Sequence, residues 1–220
     1  MKKTVKQTVS IAIVLLAIQT LQSQNIERYY VEMPNILNPV TTRQQRAELL
    51  EYFNTGMGDS IENRFGMQTR ILMLDTLNNH ILIQNTDIST FEMKIIIAQT
   101  DTFIGIIKTV CTPICLSTID FYSLQWKKRD DITFNFPKSV DWINEEKLSA
   151  SALNTENVRN ALNTSFISLS FNSETSQINA TNNSLEFLDR ERKKQLTPLM
   201  NDAIFVYFYQ DGSWVKRLID

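Results

Sequence analysis

The sequence predicts an α+β fold: an antiparallel β meander and hairpins with a few short helices packed on the sheet, behind an N-terminal signal peptide. Three observations predict it. Apolar residues recur at helical spacing only in short stretches, while Phe91, Met93 and Ile95 repeat with a period of two. The links between predicted strands are short, which joins neighbours antiparallel. Lys2, Lys3 and Lys6 precede the apolar run Ile11 to Ile18 and the polar stretch Gln19 to Gln24, the order of a secretory leader over 1–24. That run is shorter than the roughly 20 apolar residues a membrane span needs.

After the leader, Pro34 and Pro39 punctuate an extended lead-in. Thr42 with Gln45 makes a capping box, and Ala47, Leu50, Phe53 and Met57 follow at helical spacing. Gly56 and Gly58 interrupt it. Asp59 caps a second short helix carrying Ile61 and Phe65, ended by Gly66, so a helical hairpin or broken helix covers about 42–65. The period then changes. Arg70 to Leu74, His80 to Ile83, the strand around Phe91 to Ile97, Thr102 to Val110 and Leu116 to Leu124 form a meander of four or five strands.

Residues 127–131 are a mixed-charge loop, and Ile132 to Phe136 an edge strand stopped by Pro137. Thr155 caps a helix carrying Val158, Ala161 and Leu162. Phe166 to Phe171 and Gln177 to Thr181 pair across a turn at Asn172 to Thr175. Asp189 caps the charged helix Arg190 to Leu196 and sits four residues before Lys193, an ion-pair spacing. Ala203 to Tyr209 and Ser213 to Leu218 flank Asp211-Gly212, a strong tight-turn signal. No linker composition interrupts residues 25–220, which read as one domain; two related halves, about 33–136 and 137–220, are the other division.

Composition excludes some functions. At 43% hydrophobic and 21% charged residues, with 5 Gly and 5 Pro, the chain is built to bury a core. Removing the three leader lysines takes the formal charge from −2 to −5. A mildly acidic protein has no electrostatic reason to seek nucleic acid or an anionic membrane. The mature sequence has no apolar run long enough to cross a membrane, and no motif for a cofactor.

The residues that could carry chemistry are few. Cys111 and Cys115 are the only cysteines, flanking a three-residue loop between two predicted strands. In an oxidising compartment a structural disulfide is favoured; two buried thiols, or a redox or metal role, are the alternatives. No cluster completes a metal site. His80 is the sole histidine and reads as a solvent-exposed turn residue. With no G-x-S-x-G elbow beside it, hydrolysis would fall to paired carboxylates among Glu92, Asp101, Asp120 and Glu174. Glu92 faces away from the Phe91, Met93 and Ile95 side, as on a wetted sheet face. Phe205, Tyr207 and Tyr209 share one strand face, with Trp214 across the turn; the row is a candidate binding face, although core is the commoner fate of such a stripe.

In sequence order, Met33 to Leu37, Arg46 to Phe53, Ser89 to Lys94, Ile107 to Cys111, Asp120 to Tyr122 with Trp126, Phe166 to Ser170 and Tyr207 to Trp214 resemble a family of exported Bacteroidetes proteins catalogued as a domain of unknown function. The loop containing Pro113 and a second cysteine departs from that pattern. The resemblance implies an exported α+β protein, periplasmic or on the cell surface, and transfers no activity and no site residues. Taken together, these readings point away from an enzyme and toward a non-catalytic module that binds an envelope protein or glycan. The alternatives are an accessory structural or inhibitor-like domain and a carboxylate-based envelope hydrolase.

Overall fold

The computed structural model describes residues 25–99 and 101–219; the leader expected over 1–24 lies outside them. Helix α1 (Ile26–Glu32) begins where the Asn25 side chain accepts the Glu27 N–H, and stops at Met33, whose extended backbone suits the residue before Pro34. Sequence periodicity missed α1, because seven residues hold too little apolar repeat. Helix α2 (Arg43–Thr55) opens on the expected Thr42–Gln45 capping box and closes at Gly56, where φ is 72°. Its buried face is Arg46, Leu49 and Leu50. The expected stripe ending at Phe53 and Met57 is rotated away, leaving Met57 exposed. The reason is Arg46, a charged residue in the core position. Its buried guanidinium donates to the carbonyls of Val31, Met33 and Thr41 and to Asn35 Oδ1. It thereby ties the α1–α2 connection to α2.

The second helix expected after Asp59 is instead a hairpin. Strand β1 (Ser60–Glu62) pairs antiparallel with β2 (Gln68–Asp75). The Asn63 side chain accepts the N–H groups of Phe65 and Met67 around Gly66, which adopts φ 75°. Local turn chemistry overrides the weak helical spacing of Ile61 and Phe65. The meander continues through β3 (His80–Thr86), β4 (Ser89–Ile97), β5 (Thr102–Cys111) and β6 (Cys115–Tyr122), each paired antiparallel with its sequence neighbour.

The second sheet contains β7 (Thr133–Phe134), β8 (Ile167–Phe171), β9 (Gln177–Asn182), β10 (Ile204–Gln210) and β11 (Ser213–Ile219), in the order β7-β11-β10-β9-β8. Its pairs are antiparallel except β7 with β11. Asp211 and Gly212 turn β10 into β11 with φ of 47° and 84°, the left-handed pair that a two-residue hairpin requires. Helices α3 (Glu145–Ala150), α4 (Thr155–Ala161) and α5 (Arg190–Leu196) contribute Leu148, Val158 and Leu196 to its core. Asn154, rather than Thr155, caps α4. Asp189 caps α5 as expected, but Lys193 reaches back to Glu186 at 2.6 Å instead of pairing with Asp189.

The first sheet is therefore covered on both faces. One face carries Ile81, Ile83, Phe91, Met93 and Ile95 under Ile26, Tyr30, Leu49 and Leu50 of the α1–α2 pair. The other carries Ile96, Phe103, Ile107 and Phe121 against Leu169, Phe171, Ile178 and Trp214 of the second sheet. A strand buried on both faces loses the in–out alternation from which exposure is read. That matters most for β4, where Phe91 to Ile96 are all buried.

Candidate functional site

Where the two sheets meet, β8 presents backbone groups with no neighbouring strand to pair them. Side chains rising from the first sheet take that role. The Phe171 N–H donates to Glu92 Oε1 at 3.0 Å, and the Leu169 N–H to Ser117 Oγ at 2.9 Å. Just past β8, Lys94 Nζ donates to the carbonyls of Asn172 and Ser173 at 2.9 and 2.7 Å. His80 completes the cluster, with Nε2 2.7 Å from Glu92 Oε1 and its ring edge-on to Phe171 at 6.0 Å. Phe171 fits because Gly105 lies beneath it; a Cβ there would stand 2.6 Å from the ring. Burial pulls the Lys94 ammonium below its ordinary pKa, with Asp75 and Glu92 opposing.

These placements correct two expectations. His80 is not an exposed turn residue, and Glu92 does not lie on a wetted face: they are 1% and 5% exposed. The His–Glu contact has the look of an acid–base dyad, but its shared carboxylate oxygen also accepts a backbone N–H. The pair terminates a sheet edge. Asp101 and Asp120 have partners of their own. Asp101 takes a bidentate bond from Arg129 at 2.9 and 3.2 Å, and Asp120 pairs with Lys128 at 2.8 Å. Arg129 also grips Asp131 and holds the Asp101 and Asp131 carboxyls below the usual range. Among the described residues, no three His, Cys, Asp or Glu side chains are grouped to hold a metal ion.

The aromatic row does not form an open face. Phe205, Tyr207 and Trp214 are buried; Tyr207 donates to the Asn135 carbonyl at 3.0 Å, and Trp214 stacks on Phe121 at 5.6 Å. That side of β10 meets the first sheet, so the row is core. Tyr209 alone reaches a cleft, with its hydroxyl donating to Asp101 Oδ2 at 3.3 Å. Cys111 and Cys115 face each other across the β5–β6 hairpin, with their sulfurs at the bonding distance of 2.02 Å.

A broad open feature lies at one end of both sheets. In a meander, alternate turns share an end, so the β2–β3 and β4–β5 turns lie together. The β8–β9 and β10–β11 turns join them. Between the last three lies a cleft of about 570 Å³, lined by Ile97, Gln99, Gln177, Phe208, Tyr209 and Gln210, among others. A second depression, of about 130 Å³, runs toward Leu77 and Asn79 of the β2–β3 turn and shares Ile97, Thr175 and Ser176 with the first. Together they make one trough. Sequence reasoning named only Tyr209 and Glu174 of its lining; the usable signal was the topology, since turns at one end of a meander must cluster. Lys94 carried a clearer signal: with Glu92 it places two charges on one side of a strand whose other side is apolar.

These features define an α+β protein whose buried charges join its two sheets and whose hairpin turns shape an open trough. The chain belongs to the family described as a protein of unknown function, DUF3256, whose pattern matches residues 18–214. Its fold is similar to a solved structure titled as a domain of an uncharacterized protein from Porphyromonas gingivalis W83. That match has a TM-score of 0.72 and 23% identity, and covers 87% of this chain and 97% of the other. No curated protein matches the sequence.

Proposed function

We propose that the protein is an exported, non-catalytic binding module that engages an envelope protein or glycan through the hairpin-turn trough. The observation that carries this reading is the convergence of four turns on one lined trough, while the histidine and Glu92 are committed to the β8 edge. The trough combines amide side chains with apolar ones, the mixture suited to ligand recognition without bond making. A periplasmic or surface location is supported by the leader pattern and by the bonded cysteine pair. Among the described residues, no helix is long and apolar enough to cross a membrane. One folding unit over 25–220 is supported by the core shared between the sheets. Division near residue 136 would also sever β7 from the sheet it joins.

Leu77 and Ile97 are exposed on the trough rim. Affinity capture from envelope extract of the source organism should retain a specific partner on the wild type and lose it on the Leu77→Ser/Ile97→Asn variant. An identical capture profile for both proteins removes the trough from the function. N-terminal sequencing of the protein from native cells should find a start near residue 25; a start at Met1 removes export.

A further inference from the structure

We propose that the trough takes an extended polypeptide segment carrying a basic side chain beside an aliphatic one. This rests on the binding-module reading above and names its ligand class. Two observations separate a peptide from a sugar. Flat aromatic faces, the usual platform for a sugar ring, are not free here. Tyr209 packs against Phe103 at 4.8 Å and Trp214 at 5.4 Å, and Phe208 lies under the Arg217 guanidinium at 5.2 Å. The exposed apolar contacts are aliphatic instead: Leu77 is 91% and Ile97 57% exposed. Side chains of this kind seat apolar peptide residues, and the Gln99, Gln177 and Gln210 amides each offer a donor and an acceptor to a peptide backbone.

Charge selects the sign of the partner. Glu174 lines the smaller depression and Asp211 the larger. Among the described residues that line it, Lys94 is the only cationic side chain, and it is buried and bonded to two backbone carbonyls. Arg129, behind Tyr209, lies between Asp101 and Asp131, so that triad carries a net negative charge. Glu174 and Asp211 together outweigh Arg217, which stands over Phe208, so the trough is net negative, which favours Lys or Arg on the partner and disfavours Asp or Glu.

The test uses the purified chain and three pools of short synthetic peptides with equal aliphatic content and Lys, Ser or Asp at the polar positions. A glycan array serves as the second probe. The Lys pool should bind best, weaken as salt rises, and lose about tenfold in affinity on the Glu174→Lys/Asp211→Asn variant, in which Asn keeps the left-handed turn position. The urea midpoint of that variant should match wild type, which separates lost binding from lost folding. Equal binding of all three pools, or indifference to charge reversal, overturns the inference. Glycan binding that the trough variants abolish, with no peptide binding, overturns it while leaving the binding-module reading standing. No response of any probe to the trough variants overturns both.

Discussion

Replacing Glu92 by Leu tests whether the buried charges serve the sheet junction. Leu keeps roughly the volume but offers no acceptor. The Phe171 N–H and the His80 N–H would both lose their partner inside the core. Each unsatisfied donor costs about 1–3 kcal/mol. Lys94 would also lose a compensating neighbour. Removing a buried carboxylate relieves its own desolvation cost, which offsets part of the loss. The net destabilisation should be about 3–5 kcal/mol, a large share of the roughly 5–15 kcal/mol that holds a domain together. Glu92→Gln retains a carbonyl oxygen and should cost less, about 1–2 kcal/mol. Urea unfolding followed by the fluorescence of the buried Trp142 and Trp214 measures the total. Hydrogen exchange at the Phe171 amide reads the local effect, and should accelerate in Glu92→Leu before other β8 amides do. The His80→Leu/Glu92→Leu double variant should recover part of the loss, because one of the two orphaned donors is gone. Stability within about 0.5 kcal/mol of wild type for Glu92→Leu, with the Phe171 amide still protected, would refute the reasoning.

Gly105→Ala places a Cβ 2.6 Å from Phe171 Cζ and 2.9 Å from Ile96 Cδ1, so it should destabilise by about 1–3 kcal/mol, read as a lower urea midpoint. Arg46→Met strips the donors from the Val31, Met33 and Thr41 carbonyls. It should cost about 3–5 kcal/mol and expose residues 26–41 to limited proteolysis ahead of the strands. The Arg129 bonds hold the Asp101 and Asp131 pKa values down, so the folded state binds fewer protons than the unfolded state on the acid side. Their contribution is complete above about pH 4 and is lost as pH falls through the depressed folded values. Asp101→Asn should therefore lower stability at neutral pH by about 1–2 kcal/mol and flatten the acid limb, measured as urea midpoints across a pH series.

Most of the strand order was legible because antiparallel neighbours with short links leave few topologies. The β-branched run at Thr102 to Val110, the segment Gln177 to Thr181 that pairs back across a turn, and the Asp211-Gly212 turn each became the element expected. Errors fell where a single residue outweighs a pattern. Arg46 occupies a core position, so the apolar spacing of α2 placed Leu50 correctly but missed Arg46 and Leu49 and put Phe53 and Met57 inside. Asn63 closes a turn with its side chain, so Asp59 to Gly66 became a hairpin although its apolar spacing fits a helix. Neither event leaves a periodic trace, since each depends on hydrogen-bond partners at other positions: acceptor carbonyls for Arg46, donor N–H groups for Asn63.

The site was less legible for a different reason. An isolated strand reports burial through alternation only when one of its faces is wet, and β4 has none. Glu92 therefore looked like a solvent-facing position, yet with Lys94 it occupies the junction where β8 and the turn after it need acceptors and donors. A charge in a strand whose apolar positions already fill the other face is ambiguous: it marks either water or a second layer that supplies polar backbone. The number of strands resolves the ambiguity. The second group of strands, from residue 167 onward, has its own apolar face to bury, and the first sheet is the largest surface available to it. Once that packing is required, Lys94 and Glu92 lie on the face that meets it, and their partners must come from the new sheet. The same logic leaves the hairpin turns as the part of the molecule not committed to packing, so binding is argued there and not from the aromatic row in the core.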